Sequence, residues 1–446
     1  MVEISAFRAL RYTASWADSL ATVVAPPYDV IGAAELKRLW DRSPYNVVRL
    51  ILPAGDLPPA QRERGHSLAA ERLRAWKRMG VLAADPQPSL YLYEQQFRLA
   101  GELKIRRGFF ALARLTEWGE GIYRHELTLP GPVSDRIHLL AACQANLSSI
   151  FGLYSDPQQE IISALRLAAG SSSPAAEATD DRGVSHRLWV ICDQGTIRRV
   201  AALMRTRAVV VADGHHRYTA ALEYRNQQRA AHSTSTSKGT APWDYVLFYF
   251  DAFEDPGLVI LPTHQVVHGL AGFAPQEFIA RIRTDMVVRE LPSLAALAEG
   301  LADAGDARTV ALGAILAGSG YYLLETGRPS LPQRPEEGLD VSVLRHRLIE
   351  PLLQRHGANA DLEGHLWYTH EMEEAASWVE RGQAQVAFIL RPTPLEQVRS
   401  VALAQRVMPQ KSTYFYPKVL SGLVIYDHTQ WESQENPLPQ ETAPAT

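Results

Sequence analysis

The chain has 446 residues, 46% hydrophobic and 21% charged, the balance of an ordinary globular protein. With 45 basic against 49 acidic residues the formal net charge is −4, which argues against a general nucleic-acid binder. Two cysteines, Cys143 and Cys192, exclude a disulfide framework or zinc ribbon; with no membrane-length apolar run and no signal-like N-terminus, a cytoplasmic protein in a reducing compartment is expected.

Strands and helices alternate along the chain. Residues 33–40 read as a helix, and residues 60–79 have helical period with Leu68, Leu73 and Trp76 on one stripe. Residues 89–97 and 107–115 read as strands, 135–146 as a helix and 187–192 as a short strand. The run 243–253 is β-branched and aromatic and predicts another strand. Further on, 275–284 and 291–304 predict helices, and 309–317 with 320–325 a hairpin about Gly318-Ser319-Gly320. Residues 339–356 and 371–381 predict helices and 384–390 a strand. Three segments read as flexible punctuation: 170–183, the Ser/Thr-rich 232–242, and the polar, Pro-rich tail 430–446. The fold class is mixed α/β or α+β, with no internal repeat.

One stretch stands out: Ala208-Val-Val-Val-Ala-Asp213-Gly214-His215-His216-Arg217-Tyr218. Five small or β-branched residues predict a buried strand, Asp213-Gly214 a sharp turn, and the following residues a helix. The first turn of a helix presents backbone N–H groups and the positive end of the helix dipole, which attract anions. Arg217 adds a planar fork suited to phosphate. The plainer alternative is that Asp213 caps the helix and the histidines are surface groups.

Three other segments carry candidate chemistry. In Ala25-Pro-Pro-Tyr28-Asp29-Val-Ile31 two prolines fix an extended loop that presents Asp29 as a base or metal ligand, or as a turn residue only. Tyr123-Arg-His125-Glu126-Leu-Thr128 offers His125 and Glu126 as an acid/base pair, with Arg136 downstream as added positive charge. Met408-Pro-Gln-Lys411-Ser412-Thr413-Tyr-Phe-Tyr-Pro-Lys418 places Lys411, Ser412 and Thr413 in a donor cluster, or packs aromatics against the body. His264, after Leu261-Pro-Thr, reads as a hydrogen-bonded structural histidine. The chain lacks a Gly-x-x-x-x-Gly-Lys phosphate loop, a Gly-x-Gly-x-x-Gly turn, a His-Glu-x-x-His helix and a Gly-x-Ser-x-Gly elbow. P-loop kinases, Rossmann dehydrogenases, zincins and α/β-hydrolases are thereby disfavoured.

In this order the motifs resemble the prokaryotic family catalogued as domain of unknown function 1015. The resemblance rests on Phe7-Arg-Ala-Leu-Arg11, Pro26 to Ile31, Ser43-Pro-Tyr-Asn46 with Arg49, Tyr91 to Gln95, Arg107-Gly-Phe109, Asn146 to Ser155, Ala212 to Tyr218, Asp255-Pro-Gly257 with Pro262-Thr-His264, and Met408 to Val424. Two cations of that family's pattern are missing: Leu127 stands where the family has arginine, and Val133 where it tends to have lysine. Asp213 to Arg217 alone is similar to the signature of the ParB/sulfiredoxin-like nucleotide-binding superfamily, which includes partition nucleotidases, sulfiredoxins and free-serine kinases that use ADP or ATP. That resemblance implies a ParB/sulfiredoxin-like core with additional α/β subdomains, and contacts from Gly214, His215, His216 and Arg217 to nucleotide phosphates. The expected organisation is an N-terminal α/β region 1–160, the nucleotide-binding core 185–270, a C-terminal α/β region 271–428 and a tail 429–446.

The leading functional expectation is a nucleotide-dependent phosphotransferase acting on a small hydroxylated metabolite, with free L-serine the first choice of acceptor. ATP or ADP with Mg²⁺ is the expected cofactor, bound by Asp213 to Arg217 with Lys411 and Ser412, Asp213 holding the metal. Glu126 or Asp29, assisted by His125, would handle the acceptor proton. The alternatives are a ParB-like nucleotide-binding regulator, for which no helix-turn-helix is evident, and a metal-dependent hydrolase using Asp213, His215, His216 and His264. A scaffolding protein is a fourth reading. The expected partners are a nucleotide and a small substrate, with neither membrane nor nucleic acid.

Overall fold

The computed structural model describes residues 2–55, 64–232, 240–304, 308–329, 334–358 and 363–433. The chain forms two compact units: the first takes residues 1–124, 128–259 and 417–446, the second residues 125–127 and 260–416. Most of the expected loop 232–242 and the tail beyond 433 lie outside the described residues.

The first unit is built on a mixed nine-stranded sheet. Its order is Ile122–Tyr123, Val209–Asp213, Ile150–Tyr154, Tyr245–Ala252, Glu102–Arg114, Leu90–Leu99, Ser185–Ile191 and Ala176–Thr179, with Ile4–Ser5 also pairing with Glu102–Arg114. Tyr245–Ala252 is parallel to Ile150–Tyr154 and antiparallel to Glu102–Arg114, and all eight of its residues are buried. A strand buried on both faces needs a largely apolar and aromatic run, which this sequence supplies from Tyr245 to Phe250, ahead of the buried Asp251. Two-residue alternation divides the faces. Leu92, Phe109, Ala111, Phe248, Phe250 and Val211 share one core cluster with residues of the helices Glu160–Ala169, Gln194–Met204 and His215–Ala231. The long hairpin Leu90–Leu99/Glu102–Arg114 turns at Ala100 and Gly101, both at positive φ (48° and 82°), which matches the strands' right-handed twist. At Gly108 a Cβ would lie 2.2 Å from the Phe250 carbonyl oxygen, so only glycine lets the neighbouring strand approach.

The second unit holds an antiparallel six-stranded sheet in the order Val287–Leu291, Gly320–Gly327, Thr309–Leu316, Val386–Ile389, His264–Val267 and Leu366–Thr369. Leu297 and Leu301 of the helix Leu294–Asp303, and Ala375 and Val379 of Met372–Glu380, complete its core with Val266, Ala311 and Leu323.

Three expectations need correction. The segment 170–183, read as flexible, contains the strand Ala176–Thr179, an edge partner of Ser185–Ile191 that is too short and polar to announce itself. The predicted helix 135–146 is Pro130–Cys143, because Pro130 suits a first helical turn, where its missing N–H costs nothing. The predicted helix 339–356 is interrupted by a π-helical segment, Leu344–Ile349, just before Pro351. Proline removes one N–H and crowds the carbonyl four residues back, and a widened turn relieves both effects. Among the described residues no helix is long and apolar enough to cross a membrane.

Candidate functional site

The Ala208 to Tyr218 motif folds as its sequence dictates. Val209–Asp213 is a strand and His215–Ala231 a helix, with Gly214 between them at φ 94°. That left-handed backbone suits glycine, and a Cβ there would meet the Arg217 guanidinium at 3.1 Å. The pairing of Val209–Asp213 with Ile150–Tyr154 shifts register between Val211 and Asp213. Such a bulge re-aims the side chain that follows it.

Asp213 gathers two cations. Lys418 Nζ donates to Asp213 Oδ2 at 3.2 Å, and Arg217 Nη2 lies 3.6 Å from Oδ1. All three side chains are mostly buried, at 15%, 12% and 11% exposure for Asp213, Lys418 and Arg217. Burial alone would raise the Asp213 carboxyl, but Lys418 and Arg217, with His215 adding to them, hold it well below the usual carboxylate range. Arg217 Nη1 also donates to the Ser149 carbonyl oxygen, and its Nε is buried with no hydrogen-bond partner among the described residues. The cluster carries one anion and two fixed cations at a helix N-terminus that has no side-chain cap.

A small cavity of about 50 Å³, room for a water or two, adjoins Arg217 and is lined also by Tyr28, Arg136, Asn146 and Ser148. The Arg136 guanidinium stacks on Tyr28, 4.1 Å from its ring centre. Arg136 donates to the Ile51 carbonyl at 2.9 Å and to Asp135, which His66 also contacts at 2.9 Å. Burial pushes the Asp135 carboxyl up, but His66 and Arg136 outweigh it and bring the group to about 2. The Tyr28 hydroxyl is pushed up to about 12, by burial first and then by Asp29. Asp29 itself is exposed in the single turn Tyr28–Val30.

The two histidines take different places. His215 is buried and stacks against Trp118 with centroids 6.3 Å apart. His216 Nε2 accepts the Leu129 backbone N–H at 3.0 Å, directly before the helix Pro130–Cys143. That ring therefore joins the starts of two helices.

The remaining candidates belong to the second unit. His125 is buried, its Nε2 lies 3.0 Å from Thr413 Oγ1, and its carbonyl accepts from Met408 N at 2.7 Å. Glu126 is half-buried beside it in sequence. Ser412 donates through Oγ to the Pro409 carbonyl and accepts from Thr393 through its own carbonyl, while Lys411 is exposed at φ 58°. This polar segment is thus held by its own turn. His264 is buried and its Nδ1 accepts from Leu390 N at 3.2 Å, the structural role expected of it. Among the described residues no three His, Cys, Asp or Glu side chains gather to hold a metal.

The site residue that sequence reasoning missed is Lys418. It ends the Met408 to Lys418 block, but the donors chosen from that block were Lys411 and Ser412. Its proximity to Asp213 spans 205 residues of chain. Arg136 and Tyr28 were noticed singly, and only the fold brings them to one cavity.

Fold and site together define a mixed α/β protein with a cationic, carboxylate-anchored turn at the end of the strand Val209–Asp213. The chain belongs to the family described as "Protein of unknown function (DUF1015)", whose model matches residues 4–342. No curated protein matches. Solved structures to which it is similar include a conserved hypothetical protein from Pyrococcus furiosus (12% identity, 70% of this chain and 92% of that chain, TM-score 0.33). Others are a free serine kinase in complex with AMP (12%, 69% and 86%, TM-score 0.33) and a C-terminally truncated SbnI from Staphylococcus aureus (10%, 71% and 86%, TM-score 0.33).

Proposed function

We propose that the first unit binds the phosphates of ATP or ADP at the N-terminus of His215–Ala231, and that the protein transfers a phosphoryl group to a small hydroxylated metabolite, free L-serine being the first candidate. The observation that carries this reading is the Asp213–Arg217–Lys418 cluster: two mostly buried cations held in place at a helix start. Phosphoryl transfer is chiefly a matter of positioning and charge neutralisation, and these groups supply both. Arg217 offers a donor edge beyond its bond to Ser149, and Arg136 adds charge across the cavity.

In the proposed reaction the acceptor hydroxyl oxygen attacks the terminal phosphorus, and the bond to the bridging oxygen breaks. The nucleotide leaves one phosphate shorter. Asp29, exposed next to Tyr28, takes the hydroxyl proton. It is the acidic candidate that lies in the same unit as Arg217. Among the described residues no three His, Cys, Asp or Glu side chains gather to hold Mg²⁺, and Asp213 preorganises Lys418 and Arg217.

The test is a thermal-shift series with ATP, ADP and AMP, followed by phosphate-transfer assays with L-serine and other small alcohols. Saturating nucleotide raises the midpoint, since a ligand at about 100 times its Kd adds about 2.7 kcal/mol to the native state. Asp29→Asn keeps nucleotide binding and loses transfer. Stabilisation by no nucleotide, or transfer undiminished in Asp29→Asn, overturns the reading.

A further inference from the structure

A second cleft, away from Arg217, runs along the helix Glu160–Ala169. Its volume is about 460 Å³ and its lining includes Leu92, Glu94, Arg107, Arg166, Leu167 and Trp189. A smaller cavity of about 80 Å³ shares Arg107 and Arg166 with it. Sheet register explains the lining. Trp189 stands directly opposite Leu92, and in the next row Arg187, Glu94 and Arg107 stand opposite one another across three strands. Glu94 accepts from Arg107 Nε at 2.7 Å and meets Arg187 at 3.5 Å, and Arg187 Nε donates to Glu177 at 2.8 Å, so both sheet arginines have carboxylate partners.

The helix contributes two side chains that nothing among the described residues matches. Leu167 is 80% exposed. Arg166 has no ion pair or side-chain hydrogen bond among the described residues, though it lines both cavities. Trp189 Nε1 donates to the Ser172 carbonyl at 3.0 Å, which fixes the indole plane at the cleft wall. The cleft therefore offers a rigid aromatic wall, aliphatic neighbours and one uncommitted guanidinium. Its volume lies in the range of small-molecule sites, which pair apolar walls with a few polar groups.

We propose that this cleft binds a small amphipathic carboxylate: a flat apolar ring system laid against Trp189, Leu92 and Leu167, with its carboxylate on the Arg166 guanidinium. The site is independent of the nucleotide reading. Isothermal titration of the full chain with indole-3-acetate tests it, with indole and acetate as separate arms. Indole-3-acetate binds, and each fragment binds at least about tenfold more weakly, because ring and charge are recognised together. Arg166→Ala weakens indole-3-acetate by about tenfold or more, the scale of one lost charge-assisted hydrogen bond. Leu167→Asp, an exposed substitution that leaves the core untouched, weakens it through like charge. Arg217→Ala leaves this binding unchanged. Absence of binding at millimolar indole-3-acetate, equal binding in parent, Arg166→Ala and Leu167→Asp, or loss in Arg217→Ala, overturns the proposal.

Discussion

Replacing Lys418 by methionine keeps the length of the side chain and removes its charge, leaving Asp213 with Arg217 at 3.6 Å and the weaker pull of His215. At an effective dielectric constant of about 20, the Lys418–Asp213 attraction across 3.2 Å is about 5 kcal/mol before desolvation. The pair retains 12% and 15% exposure, so water recovers part of that, and Arg217 still compensates the carboxylate. The expected loss of stability is about 2–3 kcal/mol, short of the 3–5 kcal/mol typical of a broken buried pair. Urea denaturation of parent, Lys418→Met, Asp213→Asn and the double variant forms a cycle whose coupling is expected at about 1–3 kcal/mol. The pH dependence has a definite sign. The Asp213 carboxyl titrates below its unfolded value near 3.9, so its stabilisation is complete above about pH 4 and is lost as pH falls through the native value. The difference between parent and Lys418→Met must shrink only below about pH 4. A coupling under about 0.3 kcal/mol, or a Lys418→Met chain as stable as the parent, refutes the reasoning.

Other consequences are equally direct. Gly214→Ala forces a side chain onto φ 94° and against the Arg217 guanidinium, so it destabilises by about 1–2 kcal/mol and weakens nucleotide binding, checked by urea denaturation and calorimetry. His264 and His428, one in each unit, are held down to about 4 by burial and stay neutral where the unfolded chain takes up protons. Each therefore lowers stability as pH falls from about 6.5 to 4, by up to about 3 kcal/mol, and His264→Asn flattens that slope in equilibrium unfolding. Cys143 is buried, with its thiol pushed up to about 12, whereas Cys192 is exposed. A thiol reagent should therefore modify one cysteine in the native protein and both after unfolding, and fast modification of both in the native state would contradict the packing.

What the sequence made legible was local. Five β-branched or small residues, an Asp-Gly turn and a helix start were readable at 208–218 because each is decided within a few residues. The same holds for the buried run Tyr245–Ala252 and the hairpin Thr309–Leu316/Gly320–Gly327, whose glycines at 318 and 320 adopt positive φ. The turn at Ala100-Gly101 was missed because alanine rarely occupies that conformation. The π segment before Pro351 was missed because periodicity counts apolar positions and not carbonyl crowding. The site was half legible. Arg217 and Asp213 lie four residues apart and announce each other, whereas Lys418 reaches Asp213 only through tertiary folding. Family membership was legible in blocks spread over the chain, of which those from Phe7 to His264 lie within the matched residues 4–342 and Met408 to Val424 lies outside them.

The central claim is that the Asp213–Arg217–Lys418 cluster holds nucleotide phosphate. Isothermal titration of ATP and ADP into the parent and Arg217→Ala chains tests it most directly. Saturable binding is predicted in the parent, weakened about ten- to hundredfold in Arg217→Ala, the effect of one or two charge-assisted hydrogen bonds. Nucleotide binding of equal strength in both chains, or none in the parent, would contradict it.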